Sequence, residues 1–207
     1  MKKIILPVML WTITTVLFAQ QKTKPGFGIR AGLNLASQSA KADGEKDVSG
    51  IKPGLVAGVF VAIPAGKSFA IQPELLFSQL GSTDNDEESD YKFSTTFNYL
   101  ALPVLFKYVF KNGSLYAGPQ AAFLLSAKAK VEFDGESEEG DIDDAFTDVD
   151  LSGVIGADFN LSKTLLLGAR YQHGFSNLLK DPDEDSWYRN NDIQISLAYT
   201  FPVVKKK

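Results

Sequence analysis

Phe27-Gly28-Ile29-Arg30-Ala31-Gly32-Leu33-Asn34-Leu35 carries an apolar side chain at every odd position and a small or polar one at every even position. A period of two is the mark of a strand whose two faces meet different surroundings. The pattern returns in Phe69–Ser78, where Phe69, Ile71, Pro73, Leu75 and Phe77 alternate with Ala70, Gln72, Glu74, Leu76 and Ser78. It returns again over Thr164–Gln172 and Asp192–Phe201. Four more segments complete the set: Lys52–Ile63, Tyr91–Phe110, Ser114–Phe133 and Val149–Phe159. Eight strands is an even number, so the chain returns to the side on which it began.

The connections alternate in length. Ser37–Gly50, Gly81–Asp90, Asp134–Thr147 and Phe175–Asn190 are long, whereas Pro64–Ser68, Lys111–Gly113 and Asn160–Lys163 are short. About 21 of the 25 Asp and Glu fall in the long connections and their flanks, leaving Glu74, Glu132, Asp158 and Asp192. Each short turn carries a lysine: Lys67, Lys111 or Lys163. One body with two unlike ends produces this distribution, and an antiparallel barrel crossing an outer membrane has such ends.

The polar face decides which way the barrel is turned. It holds Arg30, Asn34, Gln72, Glu74, Gln120, Ser152, Asp158, Arg170, Gln172 and Gln194, interleaved with Gly and Ala. A soluble barrel of lipocalin type has an apolar lumen and wets an outer face rich in Lys and Glu. Here the polar face is thin in charge and carries both signs, which suits a crowded interior where opposite charges pair. The apolar faces of the four clearest strands carry no charge, as lipid contact demands, since a cation at mid-bilayer costs about 2–4 kcal/mol. Tyr91, Phe93, Tyr108, Phe110, Phe159, Tyr171, Tyr199 and Phe201 fall toward strand ends, where lipid meets water. The expected fold is therefore all-β: an eight-stranded antiparallel up-and-down transmembrane β-barrel, polar inside, with both termini periplasmic. Short periplasmic turns and long external loops set that sidedness. The strand ends Tyr91–Tyr99 and Lys128–Phe133 are expected to run beyond the membrane.

The N-terminus agrees with export. Met1-Lys2-Lys3 is a positive n-region, Ile4–Phe18 is uncharged and mostly apolar, and Leu17-Phe18-Ala19 offers a processing site. A spanning helix needs about 20 apolar residues, so the stretch reads as a signal peptide over residues 1–19, with the barrel over 20–207. The longest later apolar stretch, Tyr99–Phe110, is broken by Pro103 and Lys107. Only helices and closed barrels satisfy their backbone in lipid, so a membrane form must be a barrel. The expected localisation is the outer membrane of a Gram-negative cell. The net charge of −4 and the scattered Lys and Arg give no stripe for nucleic acid. The chain has no cysteine, which removes disulfides, thiol catalysis and Cys metal sites.

Tyr99-Leu100-Ala101-Leu102-Pro103-Val104-Leu105-Phe106-Lys107-Tyr108, followed by Leu115-Tyr116-Ala117-Gly118-Pro119 and Leu124-Leu125-Ser126-Ala127-Lys128, resembles the PorT-like outer-membrane β-barrel family of Bacteroidetes. Gly28–Asn34 is similar to that family's first strand and Ala169–Asn177 to its seventh. The resemblance spans almost all of the mature chain and implies an eight-stranded barrel without one defined activity. Many members carry an acidic residue where this chain has Ala101, so pairing of Lys107 through that position is lost. Outer-membrane barrels usually finish on an aromatic read by the barrel assembly machinery. Phe201 fits that role, although Pro202–Lys207 follow it.

Four groups of residues are candidates for chemistry. Arg30, Glu74, Lys107, Asp158 and Arg170 are expected to face the lumen as an ion-pair network that plugs a narrow barrel, with a selectivity filter or proton path as the alternative. His173, the single histidine, has Ser176 nearby, a pairing that lipid-modifying hydrolases use. No orienting acid is identifiable, so a polar interfacial histidine is preferred. Asp181, Asp183, Asp185 and Asp192 have partial EF-hand spacing, but Ser186 replaces the needed glycine, so a solvated acidic loop is preferred. Asp141, Asp143 and Asp144 offer at most weak divalent-cation binding. Pro53, Pro73, Pro103 and Pro119 each remove a ladder donor, and bulges are expected there. The expected partners are outer-membrane lipids, lipopolysaccharide, the assembly machinery and an extracellular or periplasmic protein, with no cofactor. The expected role is structural or interactive through acidic outer loops. A narrow channel or transport component and a lipid-modifying hydrolase are the alternatives.

Overall fold

Alternating side chains leave the backbone of each strand free to pair on both edges, and in this chain every strand of the wall finds two partners. The computed structural model describes residues 26–42, 44–86, 91–183 and 185–202. The signal-peptide reading of residues 1–19 lies outside them. The strands are β1 (Gly26–Ala42), β2 (Glu45–Val48), β3 (Lys52–Pro64), β4 (Phe69–Asp86) and β5 (Tyr91–Phe110), then β6 (Gly113–Phe133), β7 (Glu136–Asp141), β8 (Val149–Asn160), β9 (Leu165–Gly174) and β10 (Trp187–Thr200). Eight of them form the ring, in the order β1, β3, β4, β5, β6, β8, β9, β10, all antiparallel. The ring closes where β10 pairs with β1, from Gly28 opposite Thr200 to Lys41 opposite Trp187. Closure leaves the wall without an edge strand. β2 and β7 stand outside the ring as short returns against the ends of β1 and β6.

Two expectations about irregular structure need correction. Three of the four long connections contain ladder-paired strand, while Phe175–Asn190 stays irregular until β10 begins at Trp187. β1 continues to Ala42 and turns back as β2, β4 reaches Asp86, and β6 continues to Phe133 before β7 returns along it. Ladder pairing carries the backbone bonds of these segments beyond the lipid.

The second correction concerns the prolines. Bulges were expected there, yet the register stays constant through all four. The register shift in the wall lies instead at Asn98/Tyr99, opposite Leu125, which has no partner in β5. In an antiparallel sheet a residue directs its N–H toward one neighbouring strand only, so a proline costs the ladder on one side. Pro73 keeps Val104 of β5 but the β3 ladder skips it. Pro103 keeps Gln120 of β6 while the β4 ladder skips it, and Pro119 keeps Gly153 of β8 while the β5 ladder skips it. Pro53 keeps Leu35 of β1, and pairing of β3 with β4 starts only at Val56. Each lost bond is a local gap, so no extra residue is needed to absorb it.

The outer face carries an apolar band. On β10 it runs through Tyr199, Leu197, Ile195 and Ile193, and on β5 through Tyr108, Phe106, Val104, Leu102 and Leu100, all exposed. About ten residues of tilted strand cross a bilayer, as these runs do. Phe69 packs on Tyr108 and Tyr199 on Phe201 at the short-turn end, with ring centroids 5.5 and 5.3 Å apart. At the other end the band gives way to a polar belt. His173 Nδ1 lies 2.7 Å from Asn191 Oδ1, and Asn191 donates to Ser39. Farther round, Gln79 donates to Asn98 and Asn98 to Ser126.

The interior has two layers, which corrects the expectation of a polar lumen throughout. The half nearer the short turns is polar and charged. The half nearer the long connections holds an apolar cluster of Val56, Leu76, Leu80, Phe97, Tyr99 and Ala101, beside the buried and mutually hydrogen-bonded Gln38, Thr95, Asp150 and Asn190. Ala101, which breaks the acidic pattern of the PorT-like motif, is a buried member of this apolar cluster.

Candidate functional site: the charged lumen

Alternation sends Arg30 of β1, Glu74 of β4, Lys107 of β5, Asp158 of β8 and Arg170 of β9 to the inner face, and each is almost fully buried. Their strands lie around the whole ring, so only long side chains reach across it. Asp158 accepts from Arg30 Nη1 at 3.1 Å and from Lys107 Nζ at 2.6 Å. Glu74 Oε2 accepts from Arg170 Nη2 at 2.9 Å, and Glu74 Oε1 lies 3.5 Å from Arg30 Nε. The five residues thus form one connected network.

Neutral side chains complete the network. Gln72 accepts from Lys107 and donates to Glu74, at 3.0 and 2.6 Å. Ser196 accepts from Arg30 Nη1 at 2.8 Å. The Gln194 amide oxygen, in the orientation its surroundings require, accepts from Arg170 Nε at 3.0 Å. Tyr116 offers its ring to Lys107 Nζ, 5.1 Å from the centroid. A buried charge persists only when paired and hydrogen-bonded, and these partners supply that pairing.

Two glycines make room for the large groups. A Cβ at Gly168 would fall 2.5 Å from Arg30 Nη1 and 2.6 Å from Asp158 Oδ1. A Cβ at Gly28 would fall 2.1 Å from the Phe60 ring, which lies under the Arg30 guanidinium at 5.8 Å. Reading by faces missed Asp192 as a lumen acid. It stands two residues from Gln194 on the same inner face of β10 and is 3% exposed. Its alternation with Gln194 and Ser196 was the signal that identifies it. With Asp150 on the inner face of β8, three cations, Arg30, Lys107 and Arg170, therefore share the lumen with four carboxylates, Glu74, Asp150, Asp158 and Asp192.

The network opens toward the short-turn end into a cavity of about 140 Å³, with Thr200, Asn160 and Ser114 in its wall. Toward the long connections it meets the apolar layer. Phe146, from the connection between β7 and β8, sets its ring edge-on to Phe97 at 4.8 Å and tilted to Tyr188 at 5.9 Å. Leu178, from the connection between β9 and β10, is 1% exposed, and its carbonyl accepts from Thr147 N at 2.8 Å. The two connections also meet as a bridge between Phe146 and Leu179. The apolar cap is thus tied to the loops that lie over it.

The other candidates are placed apart. His173 is exposed on the outer face and bonds to Asn191, while Ser176 donates to the buried Asp150 at 2.8 Å. The serine and the histidine share no hydrogen bond, so no nucleophile–base pair is assembled. Asp192, the twelfth position of the EF-hand-like spacing, points into the lumen, away from the Asp181–Asp185 connection. Asp143 accepts from Ala127 N at 2.6 Å and so pins the connection between β7 and β8 to β6. Among the described residues no three His, Asp or Glu side chains converge on a metal-sized site. Phe201 is exposed beyond the end of β10, and its N–H donates to the Phe27 carbonyl at 2.8 Å, next to the seam between β10 and β1.

The outer membrane protein beta-barrel domain family matches residues 18–180 of the chain. The chain belongs to this family. Solved structures agree on the fold. Ail, the attachment invasion locus protein of Yersinia pestis, in complex with the heparin analogue sucrose octasulfate, superposes with a TM-score of 0.52 at 18% identity. The superposition covers 86% of this chain and 100% of Ail. Neisserial surface protein A (NspA) superposes with a TM-score of 0.50 at 10% identity, covering 86% of this chain and 100% of its own. At these identities the likeness is one of fold. No curated protein matches the chain in sequence. This outer membrane barrel accordingly resides in the outer membrane of a Gram-negative cell, with its apolar band against lipid.

Proposed function

We propose that this barrel is a non-enzymatic surface protein with a structural or interaction role, acting through its acidic outer connections and not through its lumen. The observation that carries this reading is the double closure of the interior. The charged network fills one half, and the other is filled by the apolar cluster with Phe146 packed on it and by the hydrogen-bonded Gln38, Thr95, Asn190 and Asp150. A solute crossing the barrel would have to break buried ion pairs and then part a second packed and hydrogen-bonded layer. That leaves the two ends of the molecule to act, and the ends differ.

In this reading both termini and the three Lys-bearing turns face the periplasm, and the acidic connections face outward. Short turns inside and long connections outside are the rule for outer-membrane barrels. The partners are outer-membrane lipids and lipopolysaccharide around the band, the barrel assembly machinery during insertion, and a protein at one of the ends. Phe201 is the assembly-signal aromatic, and the acidic connections hold divalent cations weakly. The PorT-like motifs of β5 and β6 support a Bacteroidetes source.

The test is photo-cross-linking in intact cells. A cross-linker placed at exposed Asp144 or Asp183 is expected to capture a discrete protein partner, and one at Lys163 to react only with periplasmic components. Capture of periplasmic proteins from Asp144 would reverse the orientation. Absence of any adduct from either connection would remove the interaction role.

A further inference from the structure

We infer that the seam between β10 and β1 carries a binding site for lipopolysaccharide at the end of the long connections. The inference rests on the outward orientation given above and names one partner of the same surface. A groove of about 390 Å³ runs along the outer face there. Its apolar floor is Leu35, Ile193, Val48 and Ile51, all exposed, with Tyr171 along one side. Its upper rim is polar and consists of the hydrogen-bonded belt of His173, Asn191 and Ser39. An occupant of this groove is apolar below and polar above.

The charge above the rim fixes the headgroup. Ser39 lies opposite Arg189 of β10 in register, and the next outward pair on β1 is Lys41 opposite Trp187. Lys41 also lies opposite Lys46 of β2. Same-face neighbours on a strand are about 7 Å apart, so three cations stand within one or two rungs of the rim. Lys46 and Arg189 both lie over the Trp187 ring, 6.0 and 4.6 Å from its centroid. Tryptophan favours the lipid–water interface, which sets this cluster at headgroup level.

These cations differ from most others on the outer half, where Lys52, also without a carboxylate, is bound by Thr95 O and Thr96 Oγ1. Lys92, Lys128, Lys130 and Lys180 each have a carboxylate within 4.0 Å. Lys41, Lys46 and Arg189 have none among the described residues. On an otherwise acidic surface, one sector keeps its positive charge, and it lies directly above an acyl-sized groove. A lipid with several acyl chains and a phosphorylated sugar headgroup meets both features at once, because phosphates pair with unneutralised Lys and Arg. The lipid of the outer leaflet with that chemistry is lipopolysaccharide.

The test is native mass spectrometry of the detergent-folded barrel titrated with purified lipid A in its diphosphorylated and dephosphorylated forms, and with phosphatidylglycerol. Wild-type protein is expected to retain diphosphorylated lipid A at least about tenfold more tightly than either other lipid. The Lys41→Gln/Lys46→Gln/Arg189→Gln variant is expected to lose that preference, while Lys128→Gln/Lys130→Gln keeps it. Should the triple variant lose its heat-modifiable folded band, Lys46→Gln alone, at an exposed position, is expected to weaken retention several-fold. Equal retention of the dephosphorylated form or of phosphatidylglycerol, or an unchanged preference in a folded variant, would overturn the assignment. Protein capture from Asp144 would survive that outcome, so the two readings fail separately.

Discussion

Asp158 touches two buried cations, and neither has another carboxylate at such close range. Removing it leaves Arg30 and Lys107 charged in a lumen that water scarcely reaches. Breaking one member of a buried ion pair costs about 3–5 kcal/mol. Asp158→Ala is therefore expected to lower the stability of the folded barrel by that amount in urea titrations on vesicles. A change below about 1 kcal/mol would show that the lumen is well hydrated. Gly168→Ala tests the same site sterically, since its Cβ would meet Arg30 Nη1 at 2.5 Å. A cost of about 1–3 kcal/mol is expected in the same assay, as for other overpacked interiors. The charged residues were legible because charge on an alternating strand has only two faces to occupy, and lipid forbids one. Their connectivity was not legible, since Glu74 and Arg170 are 96 residues apart and meet only because the ring closes.

The elements show where pattern reading stops. Alternation located all eight wall strands, yet it assigned bulges to the prolines and missed the bulge at Leu125. A proline announces a missing donor, whereas a bulge is a change of phase, visible only if both faces are followed through it. Along β6 the inward residues are even-numbered up to Ala122, and Ala127 beyond Leu125 is also inward and fully buried. Deleting Leu125 would remove the extra residue, make Leu124 and Ser126 consecutive rungs against Tyr99 and Asn98, and leave Ala127 inward. The deletion variant is therefore expected to keep the heat-modifiable folded band on gels, as is Pro103→Ala, which only restores a donor, whereas one residue inserted between Ser126 and Ala127, which turns Ala127 outward, is expected to lose it.

The returning strand β7 gives a test in pH. Lys128 donates to Glu139 across the ladder at 2.7 Å, and this hydrogen bond holds the Glu139 carboxyl below the ordinary range. A depressed carboxylate binds fewer protons folded than unfolded. Its contribution is therefore present above the ordinary carboxylate pKa and is lost as pH falls through the folded value. Both side chains are about half exposed, so the effect is local fraying and not global unfolding. Amide signals of Ala129 and Gly140, which are paired in register, are expected to broaden on acidification by NMR in micelles. Lys128→Gln should show the broadening already at neutral pH. Signals unchanged on acidification would remove the pair from the account.

At the scale of the molecule, the unlike ends and the apolar band were legible because connection length and face polarity are properties of a linear chain. The two-layered interior was not. Leu76, Leu80 and Phe97 lie on inner faces, and their apolar character conflicts with a polar lumen until Phe146 and Ile142 arrive from a connection far away in sequence. The long connections make the barrel a closed body with two working ends. The measurement that tests this closure most directly is single-channel recording of the folded protein in planar bilayers. The account predicts no resolved conductance steps from the wild-type barrel at moderate voltage, and steps only when Phe146→Ala and Leu178→Ala are combined with Asp158→Ala. Stable, voltage-independent steps from the wild-type protein, changed in selectivity by Arg30→Ala or Arg170→Ala, would contradict it.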